Sequence, residues 1–361
     1  MNQQRVTISG YYGFDNAGDE AVLAGIVRAF DQATRSQGPQ ITALSIAPDA
    51  TRRSHGIAAA HRYKAGPLLS AIRRCDLFLS GGGSLLQDVT SAHGIFYYLG
   101  VARLAQILGK RTMFIAQGIG PLLRPRSQKL VAGVANRLNA ITVRDPESAD
   151  LLLSIGVQNR IQLTADPALL LAGGARSRPG SGPVTVSLRS WAEADQSLPA
   201  TLARACSEVF SGVPMGTLAM QPAVDAACLE QFRREWHQST GQQATEFAIS
   251  APATDRVPEI VQQLAASRLV VGMRLHALIL AASAGIPSVA LAYDPKILSF
   301  MRSTGQEDAV VDLRADAEAL RAAIARVADD LPGRTDRLRQ RLPALREAAM
   351  RNAEVALDLL S

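Results

Sequence analysis

The stretch Asp76–Asp88, DLFLSGGGSLLQD, decides the fold. Leu77–Ser80 is a short apolar run, and Gly81, Gly82 and Gly83 follow it directly. A short apolar run bounded by glycine reads as a strand buried on both faces, the kind found in parallel sheets. The glycines then form a loop at its carboxyl end, where the backbone can come close to a ligand. Working outward, Val6–Ser9, Ile41–Ile46, Thr112–Ala116 and Ile141–Arg144 repeat the pattern, with amphipathic stretches such as Glu20–Phe30 and Phe96–Leu108 between them. Strands alternating with helices imply βαβ units. The Gly/Pro/Ser-rich stretch Leu171–Pro183 reads as a linker. A second series follows it: Val184–Leu188, Gly216–Met220, Arg268–Val271, Ser288–Ala292 and Ala309–Val311. The expected fold class is therefore α/β, two doubly wound Rossmann-like domains facing a cleft, over residues 1–174 and 175–332. Ligands in such folds sit at the carboxyl ends of the strands.

The closing segment, residues 333–361, reads as one helix. Leu338, Leu342, Leu345 and Ala349 fall on one face, six arginines lie around them, and Pro343 is expected to kink it. Such a helix either packs its apolar stripe on its own protein, here on the first domain, or lies on lipid.

Composition limits the function classes. Hydrophobic residues make up 47% of 361, enough for two cores, yet no apolar run approaches the length of a membrane span. Met1–Ser9 enters a strand pattern with no basic and apolar leader, so a cytoplasmic location is expected. The three cysteines form no C-x-x-C pair and the five histidines no metal-spaced pair, so no metal is expected. The net charge is +6, which suits an anionic ligand or an anionic membrane surface. Nucleic acid is not expected as a partner, because aromatics are only 5% and no Lys/Arg run is dense.

Four stretches carry candidate chemistry. Gly10–Glu20 lies between a strand and a helix, but it is neither a dinucleotide fingerprint nor a phosphate loop. It is either a tight turn with Asp19 as helix cap, or a loop whose Asp15, Asn16 and Asp19 grip sugar hydroxyls. Ser80–Asp88, with His93 beyond it, reads as a ligand-lining loop or a plain turn. Arg144 ends a strand and Pro146 opens a helix, so Arg144 either points to the ligand or pairs with Asp145 or Glu147. Arg189 ends a strand in the same way. The strongest stretch is Gly272–Ala277, GMRLHA, followed by Tyr293–Lys296, YDPK. Arg274, Leu275 and His276 open a helix, and Lys296 follows the next strand. Guanidinium and ammonium groups there form an anion pocket, and His276 is suited to acid/base work.

With these motifs the chain resembles the polysaccharide pyruvyl transferases, and most of all their cell-wall branch, CsaB. The matching pieces run nearly end to end: Ser9–Glu20, Asp76–Asp88, Ala116–Pro121, Val143–Ser148, Arg189–Trp191, Met220–Pro222, Val271–Ala277 and Ala292–Lys296. The resemblance implies a GT-B-like fold and a metal-independent enzyme without a cofactor. It implies transfer of pyruvate from phosphoenolpyruvate to two hydroxyls of one sugar, as a cyclic ketal. In that branch the sugar is N-acetylmannosamine of a lipid-linked cell-wall precursor, the product anchors surface-layer proteins, and the acceptor is reached at the cytoplasmic membrane face. Carried onto this chain, Arg274, Arg144, Lys296, Arg189 and Leu275 would hold phosphoenolpyruvate. His276 and Asp19 would be catalytic, and Asp15, Asn16, Gly81, Gly82, His93 and Gln221 would bind the acceptor. The alternative is a nucleotide-sugar-dependent glycosyltransferase on the same fold, with Asp294 recruited to the donor.

Overall fold

A computed structural model describes residues 3–35, 37–89, 92–171, 182–191, 196–247 and 253–361, with backbone alone at 92–93 and 253–254. The chain divides into two compact units, Met1–Leu170 with Ala344–Ser361, and Leu171–Pro343.

The first unit alternates strand and helix. The order is β1 (Arg5–Tyr12), α1 (Ala17–Thr34), β2 (Gln40–Ser45), α2 (Pro48–His55), β3 (Ala58–His61), α3 (Ala65–Arg74) and β4 (Leu77–Leu86). Then come α4 (Ala92–Ile107), β5 (Arg111–Ile119), α5 (Pro125–Ala135), β6 (Ala140–Val143), α6 (Pro146–Ser154) and β7 (Ile161–Leu163). The sheet order is β3-β2-β1-β4-β5-β6-β7, every pairing parallel. The chain reverses its direction of growth between β1 and β4. In open α/β sheets this switch point is where ligands bind. One face of the sheet is covered by α3, α4, α5 and α6, whose Ile72, Leu99, Val131 and Leu152 share a core with Phe78 and Phe114.

The second unit holds β8 (Val184–Ser187), α7 (Leu198–Val209), β9 (Met215–Thr217), α8 (Pro222–Thr240), β10 (Thr245–Glu246), α9 (Ala253–Ala265) and β11 (Leu269–Gly272). It continues with α10 (Leu275–Ser283), β12 (Ser288–Ala292), α11 (Pro295–Ser303), β13 (Val310–Asp312) and α12 (Ala317–Ala328). Its sheet, β10-β9-β8-β11-β12-β13, is also parallel, with its switch point between β8 and β11. The α/β class and the doubly wound parallel sheets expected from the sequence are what the structure has.

Helix α13 (Leu331–Asp358) runs through Pro343 as one helix. Its first part belongs to the second unit and its part from Ala344 to the first. The apolar stripe is buried at Leu338, Leu342, Ala349, Ala353 and Ala356, and Leu345 is half-buried. Asn352, also buried, fastens the tail to the first unit. Its Oδ1 accepts from Thr142 Oγ1 (2.7 Å) and Thr164 Oγ1 (3.0 Å), and its Nδ2 donates to the Ala165 carbonyl (3.0 Å).

Two local readings change. The glycine triplet is not a loop beyond the strand but part of β4 itself, which continues to Leu86. Positive φ at Gly81, Gly82 and Gly83 (141°, 74° and 150°) bends the strand while it keeps pairing with β5. The cap of α1 is Asn16, whose side chain accepts from Gly18 N (3.1 Å), rather than Asp19. The Leu171–Pro183 linker lies outside the described residues from 172 to 181.

Candidate active site

In the first unit the motifs gather at the switch point. Asp19 and Glu20 occupy the first turn of α1, where the helix dipole favours carboxylates. Asp19 is buried, and its Oδ2 accepts from Asn16 Nδ2 (2.6 Å). A Cβ at Gly83 would sit 2.8 Å from Asp19 Oδ1, so only glycine admits this close approach. Glu20 is fully buried. It accepts from the Gly13 N–H (2.7 Å) and faces His55 Nε2 (2.9 Å), which fixes the loop before α1. Asp15 is exposed with φ of 58°, and Gly81 and Gly82 lie in the bent part of β4. The Tyr12 hydroxyl donates to the Gly81 carbonyl (3.2 Å). Burial first, then Asp19 and Glu20, push the Tyr12 phenol well above its ordinary value, so it stays a donor.

Arg144 follows β6 and reaches this group. Nη1 pairs with Asp166 (2.5 Å), Nη2 donates to Ser84 Oγ (2.7 Å), and Nε lies 3.9 Å from Asp145. Its side chain is almost wholly buried. Burial alone would disfavour the charge, but Asp166, Asp145 and Asp19 outweigh it and hold the guanidinium ionised. The main partner is thus Asp166, whereas the sequence pointed to Asp145 or Glu147. The carboxylate of Asp145 caps α6, accepting from Ser148 N (2.8 Å). The side chain of His93 lies outside the described residues.

Arg62, directly after β3, escaped the sequence reading. It is 2% exposed, its guanidinium lies 4.2–5.3 Å from the rings of Phe14, Tyr63, Tyr97 and Tyr98, and Nη1 donates to the Gly10 carbonyl (2.6 Å). Its Nε has no hydrogen-bond partner. The signal that would have found it is compositional. Five of the six tyrosines are Tyr11, Tyr12, Tyr63, Tyr97 and Tyr98, all in this unit, and four of them lie at this edge or against its core.

In the second unit, β8, β11 and β12 are neighbours, and their carboxyl ends present the predicted cations together. Arg189 follows β8. Its guanidinium lies 5.0 Å from the Trp191 ring and 5.6 Å from the Tyr293 ring, and its buried Nε has no hydrogen-bond partner. Arg274 stands at the N-cap position of α10 after β11, and its guanidinium is gripped by Asp225. Asp225 also accepts from the N–H groups of Met220 (3.0 Å) and Gln221 (2.9 Å). Arg274 is therefore half of a buried ion pair, a partner that lies 49 residues away and was not named from sequence. Leu275 and His276, both half-buried, are the first two residues of α10. Lys296 is buried in the first turn of α11, where Asp294 is spent as the cap, accepting from Lys296 N (2.9 Å). Gln221 caps α8. Two helix N-termini beside Arg189 and Lys296 make this edge suited to an anion. Among the described residues no group of three or more His, Cys, Asp or Glu is placed to hold a metal ion.

Solved structures of similar fold cover nearly the whole chain. UDP-GlcNAc 2-epimerase from Neisseria meningitidis, bound to UDP-GlcNAc, matches at 9% identity and a TM-score of 0.64, over 99% of each chain. The S. aureus MnaA–UDP structure matches at 11% and 0.63, over 98% of this chain and 95% of that one. UDP-GlcNAc 2-epimerase from Methanocaldococcus jannaschii matches at 10% and 0.59, over 89% and 91%. At such identities the likeness is one of fold, the GT-B type. No curated protein matches the sequence. The family described as polysaccharide pyruvyl transferase matches over residues 16–295, a span that takes in the Asn16 cap, the β4 glycines, Arg144, the Arg274–His276 turn and the Asp294 cap. The chain belongs to the polysaccharide pyruvyl transferase family.

Proposed function

We propose that this enzyme takes its pyruvyl group from phosphoenolpyruvate and sets it as a cyclic ketal on two hydroxyls of one sugar. The acceptor we assign is a lipid-linked cell-wall precursor bearing N-acetylmannosamine, as in the CsaB branch, met at the cytoplasmic face of the membrane. The product would then serve to anchor surface-layer proteins. The observation that carries the reading is the strand edge of the second unit, where Arg189 keeps a buried Nε unpartnered beside Lys296 and two helix N-termini. A donor with a carboxylate and a phosphate needs that set of groups.

The chemistry follows from the donor. His276 gives a proton to C3 of the enol, which makes C2 electrophilic. One sugar hydroxyl attacks C2 and loses its proton to a base, for which Asp19 is the candidate. The C2–O bond to phosphate breaks, and the second hydroxyl closes the ketal, its proton leaving with phosphate. Arg189 and Lys296 neutralise the phosphate as it departs. Arg274 acts through Asp225, holding the turn that presents His276. In the first unit Asn16, Asp15 and the Gly81–Gly82 backbone offer donors and acceptors to a sugar, and Arg144 fixes Ser84 beside them.

Thermal unfolding with phosphoenolpyruvate, UDP and UDP-sugars tests the donor. A ligand at 100 times its Kd adds about 2.7 kcal/mol. Stabilisation by phosphoenolpyruvate that is lost in Arg189→Ala is expected, together with transfer of labelled pyruvate that is lost in His276→Ala while donor binding persists. Stabilisation by a UDP-sugar alone would overturn the reading in favour of glycosyl transfer.

A further inference from the structure

From Val89 to Arg144 the chain has no Asp or Glu, although it has 32 of them in 361 residues. The same stretch has eight Arg and Lys. Five of the eight are engaged within the first unit: Lys110 with the Arg73 carbonyl, Arg111 with the Leu359 carbonyl, Arg144 with Asp166, Arg103 with the Gln106 side chain and Arg137 with the Gly133 carbonyl. Arg103, Arg124, Arg126, Lys129 and Arg137 are exposed on and beside α4 and α5. No carboxylate forms an ion pair with any of these five among the described residues. Arg124 comes nearest to one, since its field helps to lower Asp88.

The apolar surface is concentrated in the same place. Nine large hydrophobic side chains are exposed among the described residues, and only Leu298 belongs to the second unit. Phe96 (51%), Ile107 (68%), Leu123 (70%) and Leu130 (42%) stand among the five cations. On α4 the exposed positions Phe96, Gly100, Arg103 and Ile107 recur at helical spacing and form one outward stripe. Helix α5 lies beside α4 on the same core and turns Arg126, Lys129 and Leu130 outward, with exposed Arg137 just past its end. Bulky apolar groups among exposed cations that no carboxylate neutralises fit an anionic lipid surface, where leucines enter the acyl boundary and cations meet headgroups.

We propose that the outer faces of α4 and α5, with the Leu123–Arg124 turn, form the surface by which this protein sits on an anionic membrane. The turn is held by Asp88, whose carboxylate accepts from Leu123 N (2.7 Å) and Arg124 N (3.0 Å). Asp88 follows β4, so the lipid-facing turn adjoins the strand edge that holds Asp19 and Ser84. The basic C-terminal helix, the other candidate for lipid contact, has most of its apolar stripe buried, with only Leu345 half-exposed. The use of this surface, delivery of a lipid-linked acceptor, rests on the proposed function; lipid binding itself does not.

Sedimentation of the full chain with vesicles of phosphatidylcholine, with and without phosphatidylglycerol, tests the surface without any substrate. Binding only to the anionic vesicles is expected. Each basic residue at such a surface contributes about fivefold to partitioning, so Arg126→Gln with Lys129→Gln and Arg137→Gln should weaken it about a hundredfold. Leu123→Ser with Leu130→Ser should also weaken it at unchanged charge. These side chains are exposed, and circular dichroism confirms that the variants fold. Binding that ignores either set of changes overturns the proposal, as does failure to bind anionic vesicles. Retention by single-stranded RNA that needs the cations but not the leucines overturns it in favour of a nucleic-acid surface. A protein that binds vesicles yet transfers no pyruvate would sink the proposed function and leave this surface standing.

Discussion

Replacing Asp225 with alanine should unfold the second unit far more readily than its size would suggest. Asp225 is completely buried and carries three loads: the Arg274 guanidinium and the N–H groups of Met220 and Gln221. Removing one partner of a buried ion pair costs about 3–5 kcal/mol, because the other charge is left without compensation. The orphaned N–H of buried Met220 adds about 1 kcal/mol or more. The expected loss is therefore about 5 kcal/mol, and at a urea dependence of about 2 kcal/mol/M the midpoint falls by about 2.5 M. Both tryptophans, Trp191 and Trp236, belong to this unit, and Trp236 is buried on the same helix as Asp225, so fluorescence reports the event directly. Asp225→Asn keeps an oxygen for the two N–H groups and should lose less. Asp225→Leu with Arg274→Met should recover most of the stability, since an apolar pair replaces a buried ionic one at little cost. A shift below about 0.5 M for the alanine variant, or a double variant no better than the single one, would refute the assignment of Arg274 as a held, positioning cation.

Gly83→Ala forces a side chain to within 2.8 Å of Asp19 Oδ1 at a positive φ, so it should cost more than about 1 kcal/mol of stability and cut pyruvyl transfer at least about tenfold at a temperature where the variant is still folded; melting curve and rate check the two. Asn352→Leu removes the clamp on the C-terminal tail and should cost about 1–3 kcal/mol, seen as faster hydrogen exchange in Ala344–Asp358 than elsewhere in α13. Burial tends to raise the Asp88 carboxyl, but Leu123 N–H, the Ser127 hydroxyl and Arg124 N–H outweigh it and hold it below its ordinary value. A carboxylate lowered in this way stabilises the folded state at neutral pH. That contribution disappears as pH falls from the ordinary value of about 3.9 through the lowered one, so Asp88→Asn should flatten the acid limb of the stability profile.

The two sheets were legible because their evidence is local. A strand buried on both faces shows itself as a short apolar run, and a helix between two such strands as a longer amphipathic one, so β1, β4, β5, β8, β11 and β12 stood out in the sequence. The strands β3, β7 and β10 stand at sheet edges and hold no fully buried residue, so no buried apolar run marks them. The motif loops were legible for the same reason. Each lies within a few residues of a strand end, and a parallel sheet brings all strand ends of one kind to one edge. Caps were less legible: Asp19 was the expected cap and Asp145 an expected ion-pair partner, whereas Asn16, Asp145 and Asp294 hold the N-cap positions.

Partnerships were not legible. Arg274 meets Asp225 across 49 residues, Arg144 meets Asp166 across 22, and Arg62 sits among rings from three separate stretches of chain. Nothing local marks which carboxylate will stand opposite a given guanidinium, because that depends on how sheet order brings distant loops together. The sequence by itself determined the α/β class, the strand ends where the motif residues gather and the acid-free character of Val89–Arg144. Only the tertiary structure decided which cations are neutralised by buried carboxylates, which remain on the surface, and which apolar stripe is covered. Burial and charge pairing are long-range outcomes of chain closure, whereas periodicity and capping are written within a few residues.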